Sequence, residues 1–357
     1  MIMKIFVINP GSTSTKLAIY EDEKQIWAAG AHHSVHDLEK FHHVIEQLEY
    51  RKEFVYKMLE ESCIPLQFDA IIARGGLLKP TSGGVYIIDD KIKHDLIHAK
   101  MEHACNLGAL IADDLSKKCN CPGYIADPEV VDELIPEARL TGIPEINRIS
   151  IFHALNSKAL SRKYATSINK RYEDLNIIVA HLGGGISVSA HRKGKVIDVN
   201  NALNGDGPFS PERAGTIPAD QLAEICFSGK YTLKEIKKLL NGKGGLIAHL
   251  GTNDVSLISE KAIKGEEPYN NVFKSMIYNV AKQIGAMYVA LKGDVDCIIL
   301  TGGIAYCDYF VKLLKEQIDY LAKVSVLPGE DEMGSLAYNA LAALQGKVNI
   351  QEYNPTE

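Results

Sequence analysis

One strand–loop–strand pattern occurs twice in this chain, and that duplication limits the folds open to it more than any other feature. The first copy runs Ile5-Phe-Val-Ile-Asn9, a small-residue loop Pro10-Gly11-Ser12-Thr13-Ser14, and then Thr15-Lys-Leu-Ala-Ile-Tyr20. A polar turn at 21–24 leads into a third strand-like run, 25–29. The second copy runs Ile177-Ile-Val-Ala-His181, the loop Leu182-Gly183-Gly184-Gly185, and Ile186-Ser-Val-Ser-Ala-His191, again followed by a turn (192–195) and a strand (196–199). Each copy predicts strand, small loop, strand, tight turn, strand. Period-two alternation resumes directly after each loop, whereas a Walker-type or dinucleotide-binding loop needs a helix to open there. These loops therefore read as hairpin tips, whose N–H groups and hydroxyls can cradle phosphate by a different geometry. One such hairpin is usually a mere turn. Two in equivalent places point to function.

At 357 residues the chain exceeds what one hydrophobic core supports, so two domains are expected. Helical patterns at 41–62, 91–117, 150–164, 218–228, 232–240, 254–264, 270–292 and 306–322 alternate with strand-like runs at 70–73, 123–126, 297–300 and 324–327. This predicts an α/β fold of two duplicated domains with mixed sheets and an interdomain cleft. The expected first domain is 1–148 plus about 334–357, and the second is 149–333, parting near 143–148 after a turn-rich stretch.

The formal net charge of -6 argues against nucleic acid as a main partner. No apolar run reaches membrane-spanning length, and residues 1–8 lack the pattern of a signal peptide, so a cytoplasmic, membrane-free protein is expected. Seven Cys, odd in number, read as reduced thiols, including the Cys119/Cys121 pair. His32, His33, His36, His42 and His43 read as an exposed polar stretch rather than a metal site.

Taken singly, the chemistry-bearing residues are ambiguous. Asp127 before Pro128 can simply end a strand, His153 can be a half-buried helix residue, and Arg213, between Pro211 and Gly215, can decorate a turn. Their joint order changes this. Asn9-Pro-Gly-Ser-Thr-Ser-Thr-Lys16, Arg74-Gly-Gly-Leu-Leu-Lys-Pro80, Asp127-Pro-Glu-Val-Val-Asp132, His181-Leu-Gly-Gly-Gly185, Pro211-Glu-Arg-Ala-Gly215, Thr301-Gly-Gly-Ile304 and Pro328-Gly-Glu-Asp-Glu332 occur in sequence. With these spacings the chain resembles the acetate and butyrate kinase family, within the actin-like and sugar-kinase-like ATPase superfamily, nearly end to end.

The resemblance implies ATP-dependent, Mg²⁺-assisted, reversible phosphorylation of a short-chain carboxylate. It implies ATP phosphate contacts from Ser12, Ser14, Lys16, His181, Gly183, Gly184 and Gly185, and an adenosine side at Asp254, Gly302 and Gly303. It further implies catalytic roles for Asp127, His153 and Arg213, Mg²⁺-linked roles for Asn9 and Glu332 (or Glu330), and a homodimer or larger assembly. Arg74 stands where acetate kinases have a histidine, and Ile71 where they have their substrate arginine; Arg74 is the candidate substrate-binding residue. Its run to Pro80 and the short chain length favour the butyrate branch, with butyrate or a branched C4–C5 acid as acceptor and acetate or propionate as the alternative. A sugar-kinase-like enzyme or an actin- or chaperone-like ATPase would share the fold. The apolar run 281–291 is the sequence's own weak support for self-association.

Overall fold

The computed structural model describes residues 2–99 and 101–355; residues 1, 100, 356 and 357, the second of them inside the expected 91–117 helix, lie outside that set. The strands are β1 (Lys4–Gly11), β2 (Ser14–Glu21), β3 (Lys24–His32), β4 (Ala70–Arg74), β5 (Val85–Ile87), β6 (Gly123–Ala126), β7 (Asn176–Leu182), β8 (Ile186–Arg192), β9 (Lys195–Val199), β10 (Cys297–Thr301), β11 (Val324–Val326) and β12 (Ile350–Gln351). They form a seven-stranded sheet of order β12-β5-β6-β4-β1-β2-β3 and a five-stranded sheet of order β11-β10-β7-β8-β9.

The duplication is visible in both sheets. β1 and β7 each lead an antiparallel meander, and each pairs on its other side with a parallel strand, β4 or β10. The second copy continues to β11, in parallel, as the first does to β6. Each meander carries a register shift at the same relative place, between Ile19 and Tyr20 and between Ala190 and His191. β1 and β7 are buried along nearly their whole length, as continuous apolar runs covered on both faces must be.

Two compact units result. Unit 1 comprises Met1–Asp132, Ala154–Ala159 and Asp331–Glu357; unit 2 comprises Glu133–His153 and Leu160–Glu330. Residues 133–148, grouped with the first half in the sequence reading, bond within unit 2: Ile135 N–H to Ile197 O at 3.0 Å, and Arg148 Nη1 to Asp198 Oδ1 at 2.9 Å. The apolar stripe of helix Tyr269–Ala290 (Phe273, Met276, Ile277, Val280, Ile284, Met287) lies in the unit 2 core, so domain packing accounts for Ile284 and Met287 of the 281–291 run, while Val289 is exposed.

The expected 91–117 helix is two helices, Asp90–Ile97 and Asn106–Cys119. Asn106 holds the second start: its Oδ1 accepts the Leu77 N–H at 2.8 Å, and its Nδ2 donates to Met101 O at 3.1 Å. His153, read as lying within a 150–164 helix, instead stands at the N-cap position of Ala154–Ser167, without a side-chain capping bond.

Candidate active site

In unit 1 the first hairpin aligns Asn9 opposite Lys16 across β1 and β2. Asn9 is buried, and its Nδ2 donates to Glu332 Oε2 at 2.7 Å. Lys16 is exposed and makes no ion pair among the described residues. At the tip, Ser12 Oγ meets His103 Nε2 at 3.2 Å, and the Ser14 hydroxyl sits over Gly11.

Arg74 ends β4 and is already committed: Nε makes a short contact with Glu129, and Nη1 lies 3.1 Å from Glu332 Oε1. Burial works against its charge, but these two carboxylates outweigh that and hold the guanidinium charged well above the usual arginine range. Nη2 makes no hydrogen bond among the described residues. One guanidinium against two carboxylates leaves the group net negative, and Glu129 Oε2 is buried without a hydrogen-bond partner. Asp127, nearly fully buried, directly follows β6 with φ +39°, a conformation rare for a non-glycine residue. Its Oδ1 accepts the Gly84 N–H at 2.8 Å, while its own N–H reaches Gly84 O at 2.9 Å. Asn9 and Glu332, joined by their hydrogen bond beside this net-negative group, carry hard oxygen donors of the kind Mg²⁺ takes, and Asp127, just after β6, carries another.

In unit 2 His181 is the penultimate residue of β7, with its side chain fully buried. Its Nε2 lies 2.5 Å from Glu330 Oε1, and its ring stacks on His153, whose Nδ1 lies 3.0 Å from Ser187 Oγ. Sequence left Glu330 and Glu332 as alternatives for one role. They diverge here, Glu330 to His181 and Glu332 to Asn9 and Arg74. His153, His181 and Glu330 bring ligand atoms within 4.8 Å of one another. Parallel stacked rings aim their in-plane lone pairs side by side, however, and such a nitrogen-rich set suits a softer ion than Mg²⁺.

Arg213 is pinned beside the glycine loop. Its N–H donates to Ser210 Oγ at 3.1 Å, and Ser210 Oγ donates to Gly184 O at 2.6 Å. Gly215 closes this turn at φ +69°, where a Cβ would strike the backbone N of Phe209. A Cβ on Gly185 would lie 3.9 Å from Arg213 Nε, and that nitrogen is buried with no hydrogen-bond acceptor. Nη1 donates to Glu212 Oε2 at 3.0 Å, and Glu212 Oε1 accepts from Asn253 Nδ2 at 2.9 Å.

Glu212 also borders a cavity of about 530 Å³, a volume suited to a small-molecule ligand. Gly183 and Gly184 form one wall, Asp254 and Val255 a second, and Gly303 and Tyr306 a third. Asp254 doubles as the N-cap of helix Val255–Ile263, accepting the Leu257 N–H at 3.1 Å. Gly302 adjoins this loop and exchanges backbone bonds with Gly329 at 3.0 and 3.2 Å.

The acetokinase family pattern matches residues 145–323. A "probable butyrate kinase" of Phocaeicola vulgatus is 74% identical over 353 residues, covering 99% of this chain and 100% of that protein. The chain belongs to the acetokinase family. "Butyrate kinase 2" of Clostridium acetobutylicum is 47% identical over 355 residues, covering 99% of this chain and 100% of that protein. Among solved structures, acetate kinase of Porphyromonas gingivalis superposes with a TM-score of 0.77 at 18% identity, over 96% of this chain and 100% of that one. The family's two-sheet α/β fold is therefore shared even where sequence has diverged widely.

Against that family background, sequence reasoning missed Glu129, Glu212 and Arg51. The two glutamates stand inside quoted motifs, so their position beside Asp127 and Arg213 was the available signal. Arg51 had no local signal.

Proposed function

We propose that the chain transfers the γ-phosphoryl group of ATP to a short-chain carboxylate, butyrate or a branched C4–C5 acid, giving the acyl phosphate and ADP reversibly. Arg213 carries this reading: its buried Nε lacks an acceptor, beside the Gly183–Gly185 loop. A buried unmade hydrogen bond is costly, and a phosphoryl oxygen would complete it.

The acid is ionised at neutral pH, with a pKa near ~4–5 like side-chain carboxyls, so no general base is needed. Its oxygen forms a bond to the γ-phosphorus as the bond to the β–γ bridging oxygen breaks, and ADP leaves with that electron pair. The remaining work is positioning and charge neutralisation. Arg213 and His153 are assigned to the transferring group. Ser12, Ser14, Lys16, His181, Gly183, Gly184 and Gly185 are assigned to phosphates, and Asp254, Gly302 and Gly303 to the adenosine side. Arg74 keeps one free nitrogen, Nη2, for the substrate carboxylate. Asn9, Asp127 and Glu332 would hold Mg²⁺, which when bound neutralises phosphate charge. The C4 preference rests on the butyrate kinase relatives and the Arg74–Pro80 run. A cytoplasmic homodimer completes the proposal, on family resemblance; among the described residues no helix is long and apolar enough to cross a membrane.

Hydroxamate trapping of acyl phosphate over C2 to C6 acids, with ATP and Mg²⁺, tests this. Butyrate or isobutyrate should give the highest kcat/KM. One methylene is worth only about 1–3 kcal/mol, so overlap with propionate is expected. Acetate as best substrate overturns the chain-length assignment, and no acyl phosphate from any acid overturns the function.

A further inference from the structure

Beneath the first hairpin lies a positive charge that no carboxylate answers. Arg51, on helix Leu48–Glu61, is 0% exposed. Its Nη1 donates to Gly11 O at 3.0 Å, Ser14 O at 3.1 Å and Thr15 Oγ1 at 3.1 Å, and its Nη2 to Ser12 O at 3.0 Å. Nε is taken by Gln47 Oε1, one turn back, at 3.1 Å. None of these acceptors is ionised, and among the described residues no acid forms an ion pair with Arg51. Burial lowers its pKa from the usual arginine value, yet a guanidinium remains protonated in proteins. Buried charges are ordinarily paired, so this one is an exception with a location.

The location is the small-residue loop. Three loop carbonyls turn inward to Arg51, and a trans peptide places each following N–H on the opposite side. The Ser12 and Thr13 N–H groups at the tip therefore point away from the guanidinium. Outward N–H dipoles above a buried cation are the elements of an anion nest.

We propose that Arg51 is a positioning residue that presets the first loop for a phosphate group. Its planar fork fixes the loop backbone, and its unanswered charge is completed by the bound anion. That the anion is a phosphate of ATP or of the acyl phosphate rests on the kinase reading above. A lysine in its place supplies the charge but only three donors on a flexible stem, so it cannot reproduce the fixed fork that reaches these four oxygens.

The test uses the full chain as wild type, Arg51→Gln and Arg51→Lys, with melting curves to establish folding. Calorimetry with inorganic phosphate should show affinity weakened at least tenfold in Arg51→Gln and held within about threefold in Arg51→Lys. In steady-state turnover both variants should lose at least tenfold in kcat. A KM rise for ATP in the forward direction assigns the nucleotide phosphate to the loop, and a rise for butyryl phosphate in reverse assigns the acyl phosphate.

A folded Arg51→Gln protein with phosphate affinity and kcat within twofold of wild type overturns the proposal. So does a wild type that binds no phosphate. If Arg51→Gln does not fold, Arg51→Lys decides: unchanged kcat and KM overturn it, while lowered kcat with retained phosphate affinity supports it. Phosphate calorimetry needs no turnover. Phosphate bound through Arg51 without acyl phosphate formation would therefore sink the kinase reading alone, and turnover indifferent to Arg51 would sink this one alone.

Discussion

The imidazole of His153 lies flat on that of His181, ring centroids 3.7 Å apart and planes 9° apart. His181 is the anchored member, buried near the end of β7 with Glu330 against its Nε2. His153 precedes a helix and is oriented by that ring and by Ser187. His181→Ala should therefore misplace His153 as well as remove the imidazole that faces Glu330. The expected stability loss is about 1–3 kcal/mol, with kcat lowered in parallel. His181→Phe keeps the stacking surface and should retain more activity than alanine does. Melting curves and kinetics of both variants decide this; an alanine variant with unchanged melting and turnover would rule the coupling out.

His33 makes stability depend on pH. It is buried, with Thr15 Oγ1 at 2.8 Å from Nε2 and Tyr50 Oη at 3.3 Å from Nδ1. Burial, and then the nearby Arg51 charge, push its pKa down to about 4. An unfolded histidine takes its proton near ~6.5, so between roughly 6.5 and 4 the unfolded chain holds more protons than the folded one. The contribution is full above pH ~6.5 and is lost progressively as pH falls towards 4. Urea melts at steps from pH 7.5 to 4.5 should show a smaller decline for His33→Gln than for wild type. Parallel declines would remove His33 as the cause.

Gly302 and Gly303 are neighbours with opposite tolerances. Gly302 sits at φ +86°, and a Cβ there would meet the Leu182 backbone; a Cβ on Gly303 meets nothing within 4 Å. Gly302→Ala should cost at least about 2 kcal/mol and displace the loop beside the cavity, raising the KM for ATP. Gly303→Ala should fold as wild type does. Melting curves of the pair, with KM for ATP, check the contrast; equal behaviour would contradict it.

The hairpins were legible because alternation and turn chemistry are local. Each strand carries its own period, and each loop its own small residues. The parallel partners β4 and β10 were legible as strands, but their places in the sheets come from pairings far apart in sequence. The break after Ile97 had no glycine or proline to mark it, being held by Asn106 reaching Leu77. β5 and β12 were too short to show a period. Arg51 shows the limit most clearly. On a helix of mixed charge it reads as a solvated residue, and its loop acceptors lie 36 to 40 positions away. For Arg74, the candidate substrate ligand, the sequence could not show that Glu129 and Glu332 hold its Nε and Nη1.

Arg213 gives the sharpest test of the proposed chemistry. The backbone around it is fixed by Ser210, Gly184 and a closing bond from the Ala214 N–H to Leu240 O, so truncating the side chain should leave the turn standing. Its Nε has no acceptor, and Glu212 draws on Nη1 alone. If the fork serves the transferring phosphoryl group, Arg213→Ala should lower kcat by about 10²–10⁴. The KM for ATP should change little, because the Asp254 and Gly303 walls of the cavity are untouched. Arg213→Lys should rescue poorly, since an ammonium cannot present two coplanar donors. Glu212→Gln supplies the control: it removes the carboxylate facing Arg213 and should alter kcat far less than loss of the arginine does. Steady-state kinetics of the three variants, with melting curves to show that each is folded, make the measurement. A folded Arg213→Ala enzyme keeping more than about a tenth of wild-type kcat, short of the loss expected for such a stabiliser, would remove Arg213 from the reaction and leave the unpaired Nε without a functional account.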